Sequence, residues 1–153
     1  MTDEQQSTSG PVLVIEDSWH DLVLMTHVLD DFDLKGQVIA VHNGAAALER
    51  IADIENGRVQ KPAAIIVDLS LPDIPAEQVI AEIRRQSSLE NTPVVIFADG
   101  PPEQLQTVVE KFGLQGCCQK PADFAEFQQR FAELLSRWLT GRSDKTKSAE
   151  GVA

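Results

Sequence analysis

A doubly wound α/β fold, with one parallel sheet covered by helices on both faces, is predicted for this chain by three observations. Short apolar runs alternate with helix-like segments five times along the sequence, the pattern of successive strand–helix units. The runs "VLVI", "AIIV" and "VVIF" are apolar without polar alternation, as strands buried on both faces should be. A length of 153 residues with 42% hydrophobic content suits one domain with a real core.

The elements follow in order. "PVLVI" (11–15) is the first strand, and the first helix follows in "DSWHDLVLMTHVLDD", with Ser18 as its N-cap. "GQVIAV" (36–41) is the second strand, and "NGAAALERIADIE" a helix capped by Asn43. The loop "NGRVQKP" leads to the third strand, "AAIIV" (63–67), and the third helix is "AEQVIAEIRRQ" (76–86). The fourth strand is "TPVVIF" (92–97) and the fourth helix "EQLQTVVEKF" (103–112). The short "QGCC" (115–118) is the fifth strand, and the last helix runs from about Ala122 to Leu139. In that helix Phe124, Phe127, Phe131, Leu134 and Trp138 recur at three- and four-residue steps, which marks its core face. The polar stretches 1–10 and 141–153 read as disordered ends around a folded domain of 11–140.

Composition removes several functions. A net charge of −11 argues against a nucleic-acid partner and against docking on an anionic membrane. No apolar run approaches the roughly 18 residues of a spanning helix. The first ten residues, "MTDEQQSTSG", are too polar for a secretory signal. Cys117 and Cys118, the only cysteines, are adjacent and poorly placed to bond each other, which points to a reducing cytoplasmic location.

In open parallel sheets the functional crevice lies at the carboxyl ends of the strands. Glu16-Asp17 follows the first strand, Asp68 the third and Lys120-Pro121 the fifth. Asp68 ends a buried strand, where a charge is costly unless it has partners. The topology would bring three acids and one lysine to one edge. Clustered carboxylates repel unless a cation joins them, and a hard divalent ion such as Mg²⁺ suits oxygen donors. Asp68 could then act as a nucleophile toward phosphorus, with Lys120 and the ion offsetting charge on the phosphoryl oxygens.

With "VLVIEDS", "IIVDLSLP", "PVVIF" and "GLQGCCQKP" in this order, the chain resembles the response-regulator receiver domains of bacterial two-component signalling over about residues 11 to 140. The resemblance implies a flavodoxin-like (βα)5 fold with strand order 2-1-3-4-5. It implies that Asp68 accepts a phosphoryl group from a histidine kinase. Asp17 and Asp68 would bind Mg²⁺ through side chains and Ser70 through its backbone carbonyl, with Glu16 at the first acid position. Lys120 would contact the phosphoryl group, and the bond before Pro121 would be of the type often cis in this family. Such a domain is a phosphoacceptor that assists its own phosphorylation rather than an enzyme with a separate substrate. "ENGRVQKP", "DLSLP", "SLENTPVVI" and "RWLT" further resemble stand-alone regulators paired with phytochromes, so a bacteriophytochrome is the candidate kinase. The remaining tail is too short for an output domain.

The chain departs from the family where signals usually leave the site. The hydroxyl position after the fourth strand is Ala98, followed by Asp99, which would repel a phosphoryl group if it pointed inward. The usual strand-five aromatic aligns with Cys117, and the familiar Asp-Gly pair with Pro75-Ala76. A pseudo-receiver that binds partners without phosphorylation is therefore the alternative. A phosphatase would need a second acid two residues after Asp68, where Ser70 stands.

Other features have plainer explanations. His20 and His27 share a helix face without a further ligand nearby, so they read as surface or packing residues. The two cysteines read as small packing residues in a strand. The last helix, at about 18 residues and ~27 Å, outruns a ~17 Å strand. Leu135, Trp138 and Leu139 would then overhang the sheet and support a homodimer.

Overall fold

The computed structural model describes residues 10–31 and 38–138. Five parallel strands form one sheet in the order β2-β1-β3-β4-β5, the predicted topology. The strands are β1 (Val12–Ile15), β2 (Val38–Val41), β3 (Ala64–Val67), β4 (Val94–Ala98) and β5 (Gly116–Gln119). The helices are α1 (Trp19–Asp31), α2 (Gly44–Glu55), α3 (Ala76–Arg85), α4 (Pro102–Phe112) and α5 (Phe124–Trp138). A 3-10 turn, Ser87–Leu89, precedes β4. The stretches 1–9, 32–37 and 139–153 lie outside the described residues, and with them nearly all of both expected disordered ends.

The central strands β1, β3 and β4 are buried along their whole length, and the edge strands β2 and β5 only partly. Non-alternating apolar runs therefore occupy the three positions with helices above and below. On one face, Leu13, Ile15, Ile65, Val67 and Ile96 pack against Ile51 of α2, Ile80 and Ile83 of α3 and Leu105 of α4. On the other, Val12, Val14, Ile66, Val95 and Phe97 pack against α1 and α5. There Phe97 meets Phe127 edge-on at 5.1 Å and Phe131 at 5.2 Å, which anchors α5 over the middle of the sheet.

The predicted caps are present. Ser18 Oγ accepts from the Asp21 backbone N–H at 3.2 Å, and Asn43 Oδ1 from that of Ala46 at 2.7 Å. A third cap comes from a distant loop. Asp73, between β3 and α3, accepts from the backbone N–H groups of Gly44 (2.7 Å) and Ala45 (2.9 Å), the orphan donors opening α2. Gly44 permits this closeness, since an added Cβ would lie 2.9 Å from Ile74 Cβ.

Two expectations about α5 need correction. Phe124 is exposed, so the buried face of α5 begins at Phe127. Leu135 is buried, in one cluster with Leu22, Met25 and Leu29 of α1, so α5 packs on α1 as well as on the sheet. A comparison of helix with strand length ignored that second surface. The side chain of Trp138 and all of Leu139 lie outside the described residues.

The bonds from Ala45 and Gly44 hold the Asp73 carboxyl below its ordinary value of 3.8. A carboxyl lowered on folding stabilises the fold above its unfolded value and loses that effect as pH falls through the folded one. Asp73→Ala is therefore expected to be less stable than wild type at neutral pH and equally stable in strong acid. Urea unfolding at both pH values checks this; an equal difference at both would contradict it.

Candidate functional site

The hydrogen-bond ladder runs one residue past the strands and sets the site. The backbone N–H of Glu16 donates to Val41 O (3.0 Å), that of Asp68 to Ile15 O (3.0 Å) and that of Lys120 to Ala98 O (2.8 Å). Each residue is thus fixed by its neighbouring strand where the chain leaves the sheet. Three side chains far apart in sequence are brought to one edge.

Lys120 is at the centre. Its ammonium donates to Glu16 Oε1 at 2.8 Å, Asp68 Oδ2 at 2.7 Å and Asp21 Oδ2 at 2.7 Å. The Lys120 side chain is only 3% exposed, Glu16 0% and Asp68 5%, whereas Asp21 is 21% exposed. The second oxygens of the two buried acids are also bonded. Glu16 Oε2 accepts from the Ser18 backbone N–H at 3.1 Å, and Asp68 Oδ1 from that of Ser70 at 3.0 Å. Buried carboxylates are tolerated here because each has both a cationic and a backbone donor.

Charge is still unbalanced, with three carboxylates around one ammonium. Burial pushes the Glu16 carboxyl up to about 8, and Asp68 adds to this while Lys120 opposes it. Burial alone would lower the Lys120 ammonium, but its bonds to Asp21, Asp68 and Glu16 outweigh that and hold it above its ordinary value. Glu16, exposed Asp17 and Asp68 each present an oxygen within 4.8 Å of the others. An all-oxygen set carrying excess negative charge fits a hard divalent cation.

The structure places Glu16, Asp17, Asp68 and Lys120 in one cluster, with Ser70 in the loop beside Asp68. The outlying positions differ. Ala98 is buried and places no polar side chain at the end of β4, and Asp99 is exposed. Cys117 is half-buried and its thiol donates to Gln106 Oε1 at 3.6 Å. Burial raises both thiols, in keeping with a packing role. No cis peptide bond occurs among the described residues, so the Lys120–Pro121 bond is trans; Lys120 reaches its three acceptors from that backbone. His20 lies 3.5 Å from Asp21, and among the described residues it does not join His27 in a metal group. Asp21 is the residue that inspection of the strand ends missed. Its signal was its position three residues after the Ser18 cap, which turns it toward the crevice from the first turn of α1.

Comparison with known proteins agrees with this fold. The family model for the response regulator receiver domain matches residues 12–132. The response regulator Rcp1 of Synechocystis is 32% identical over 133 residues, spanning 84% of this chain and 88% of that protein. The crystal structure of its Mn²⁺-bound form superposes with a TM-score of 0.75 at 24% identity, covering 86% of this chain and 96% of that one. The phosphorylated cyanobacterial phytochrome response regulator RcpA gives a TM-score of 0.77 at 23% identity over 85% of this chain and 94% of that one. The bacteriophytochrome response regulator RtBRR is 28% identical with a TM-score of 0.61, covering 80% of this chain and 77% of that one.

A divalent cation titrated into the protein is expected to shift the amide resonances of Glu16, Asp17 and Asp68 through Ser70 before others. NMR checks this, and shifts confined to the chain ends would contradict it.

Proposed function

The chain belongs to the response regulator receiver domain family, and from that premise we propose that it is a single-domain response regulator that accepts a phosphoryl group on Asp68 from a histidine kinase. The supporting observation is Asp68 itself, 5% exposed at the sheet edge and 2.7 Å from Lys120, with Glu16 and Asp17 beside it. In this reading Glu16, Asp17, Asp68 and the Ser70 backbone carbonyl would hold Mg²⁺. When bound, the ion offsets charge on the phosphoryl oxygens and on the acidic cluster. Lys120 supplies the remaining positive charge, and the Ser70 N–H orients the carboxylate.

Similarity to Rcp1, RcpA and RtBRR supports a bacteriophytochrome as the kinase. Among the described residues no helix is long and apolar enough to cross a membrane, which accords with a cytoplasmic regulator. Output runs through protein–protein contacts, and the net charge of −11 speaks against a nucleic-acid partner. The domain assists its own phosphorylation and turns over no separate substrate.

One observation favours a pseudo-receiver that binds partners without phosphorylation. Neither Ala98 nor Cys117 provides the hydroxyl-and-aromatic pair through which phosphorylation usually acts. The two readings separate on phosphotransfer. Asp68 is expected to be labelled by acetyl phosphate with Mg²⁺, and Asp68→Asn to abolish labelling. Ala98→Thr restores a hydrogen bond to a charged oxygen worth about 1.5–3 kcal/mol, so labelling should quicken about ten- to a hundredfold if the transition state feels it fully. Phos-tag electrophoresis reads both. Absence of an Asp68-dependent band in wild type and in every variant, where an ordinary receiver is labelled, selects the pseudo-receiver.

A homodimer through α5 is kept in this reading on Trp138 and Leu139 alone, since Leu135 is buried within the protomer. Sedimentation at micromolar concentration is expected to show a dimer that Trp138→Ala weakens. A wild-type monomer would remove the claim.

A further inference from the structure

Lys120 has three N–H donors, and all three are taken. Glu16, Asp21 and Asp68 each hold one at 2.7–2.8 Å. An incoming phosphoryl oxygen can bond this ammonium only if one acceptor gives way. Glu16, at 0% exposure, has no water to replace the lysine, so its release would leave a buried carboxyl oxygen without a partner. Asp68 is the nucleophile and sits at 5% exposure. Asp21 is 21% exposed, so water can take over its oxygen at the least cost. Its other oxygen already faces the exposed His20 ring at 3.5 Å. Asp21 also adds a negative charge beside the crevice that a phosphoryl group must enter.

We propose that Asp21 is a positioning residue that acts as a brake: it occupies the Lys120 donor needed by the incoming phosphoryl group, and its release from Lys120 is part of phosphoryl transfer. The proposal rests on Asp68 being the phosphoacceptor. With Ala98 offering no hydroxyl, no side chain at the end of β4 bypasses the brake. The step itself is balanced. An Asp68 oxygen forms a bond to phosphorus, the bond from phosphorus to the acetate oxygen of acetyl phosphate breaks, and acetate leaves with the electron pair. Lys120 exchanges its bond to Asp21 for one to a phosphoryl oxygen and keeps its proton.

The test compares wild type, Asp21→Ala, Asp21→Glu and Asp30→Ala as full chains. Phosphorylation by acetyl phosphate with Mg²⁺ is followed by intact mass, and folding by circular dichroism. Asp30 is exposed at the far end of α1, so Asp30→Ala removes the same charge without touching Lys120. Asp21→Ala is expected to be phosphorylated at least fivefold faster than wild type. Asp21→Glu should restore the slow rate, and Asp30→Ala should match wild type. A purely structural Asp21 would give no acceleration and no rescue. Labelling of Asp21→Ala alone, with wild type silent, also supports the brake. If wild type is labelled and Asp21→Ala is no faster, or Asp30→Ala is equally fast, the brake is overturned and the phosphoacceptor reading stands. If no variant is labelled beside a receiver that is, the phosphoacceptor reading falls and the brake with it.

Discussion

One buried ammonium holds this architecture's functional edge together. Lys120 ties β5 to Glu16 after β1, to Asp68 after β3 and to Asp21 on α1, across 104, 52 and 99 residues of sequence. Isolated carboxylates at such depth would be strongly destabilising, and the lysine makes them tolerable only while its geometry is kept. The strand register and the site are therefore one constraint. The ladder bonds that extend past the strands place the lysine, and the lysine allows acids to end buried strands.

The sheet and the charged core of the site were legible in the sequence because both follow from local patterns. Non-alternating apolar runs mark covered strands, and polar residues that break such runs at their carboxyl ends stand out. Asp21 was less legible for a physical reason. An acid in the first turn of a helix is already favoured by the helix dipole, so its place three residues after the Ser18 cap has a sufficient explanation without the lysine. Leu135 and Phe124 were misjudged because periodicity shows which residues share a helix face but not how far the neighbouring surface extends. Packing of α1 on α5 covers Leu135, and Phe124 is exposed.

The site's contacts with the rest of the molecule are unevenly distributed. Toward β4 and β5 it meets Ala98 and a Cys117 bonded to Gln106, neither of which has a large group to reorient. Toward α1 and α2 it has specific polar links: Asp21 to Lys120, and the loop after Asp68 to the start of α2 through Asp73. Any change of charge at Asp68 therefore meets the bonded side chains of Lys120 and Asp21 on the α1 side, and no large group poised to reorient at Ala98 or Cys117.

The Asp73 clasp also bears on how pieces of such domains can be exchanged. The loop between β3 and α3 carries the carboxylate, but its receptor is the backbone of Gly44 and Ala45, some 28 residues earlier. Ile74 lies where any side chain at position 44 would project. This loop transplanted into another scaffold would lose its fit wherever that scaffold carries a side chain at position 44. Loop and helix start thus form one inheritable unit, contiguous in space and split in the chain, and a recombination crossover between them would separate its halves.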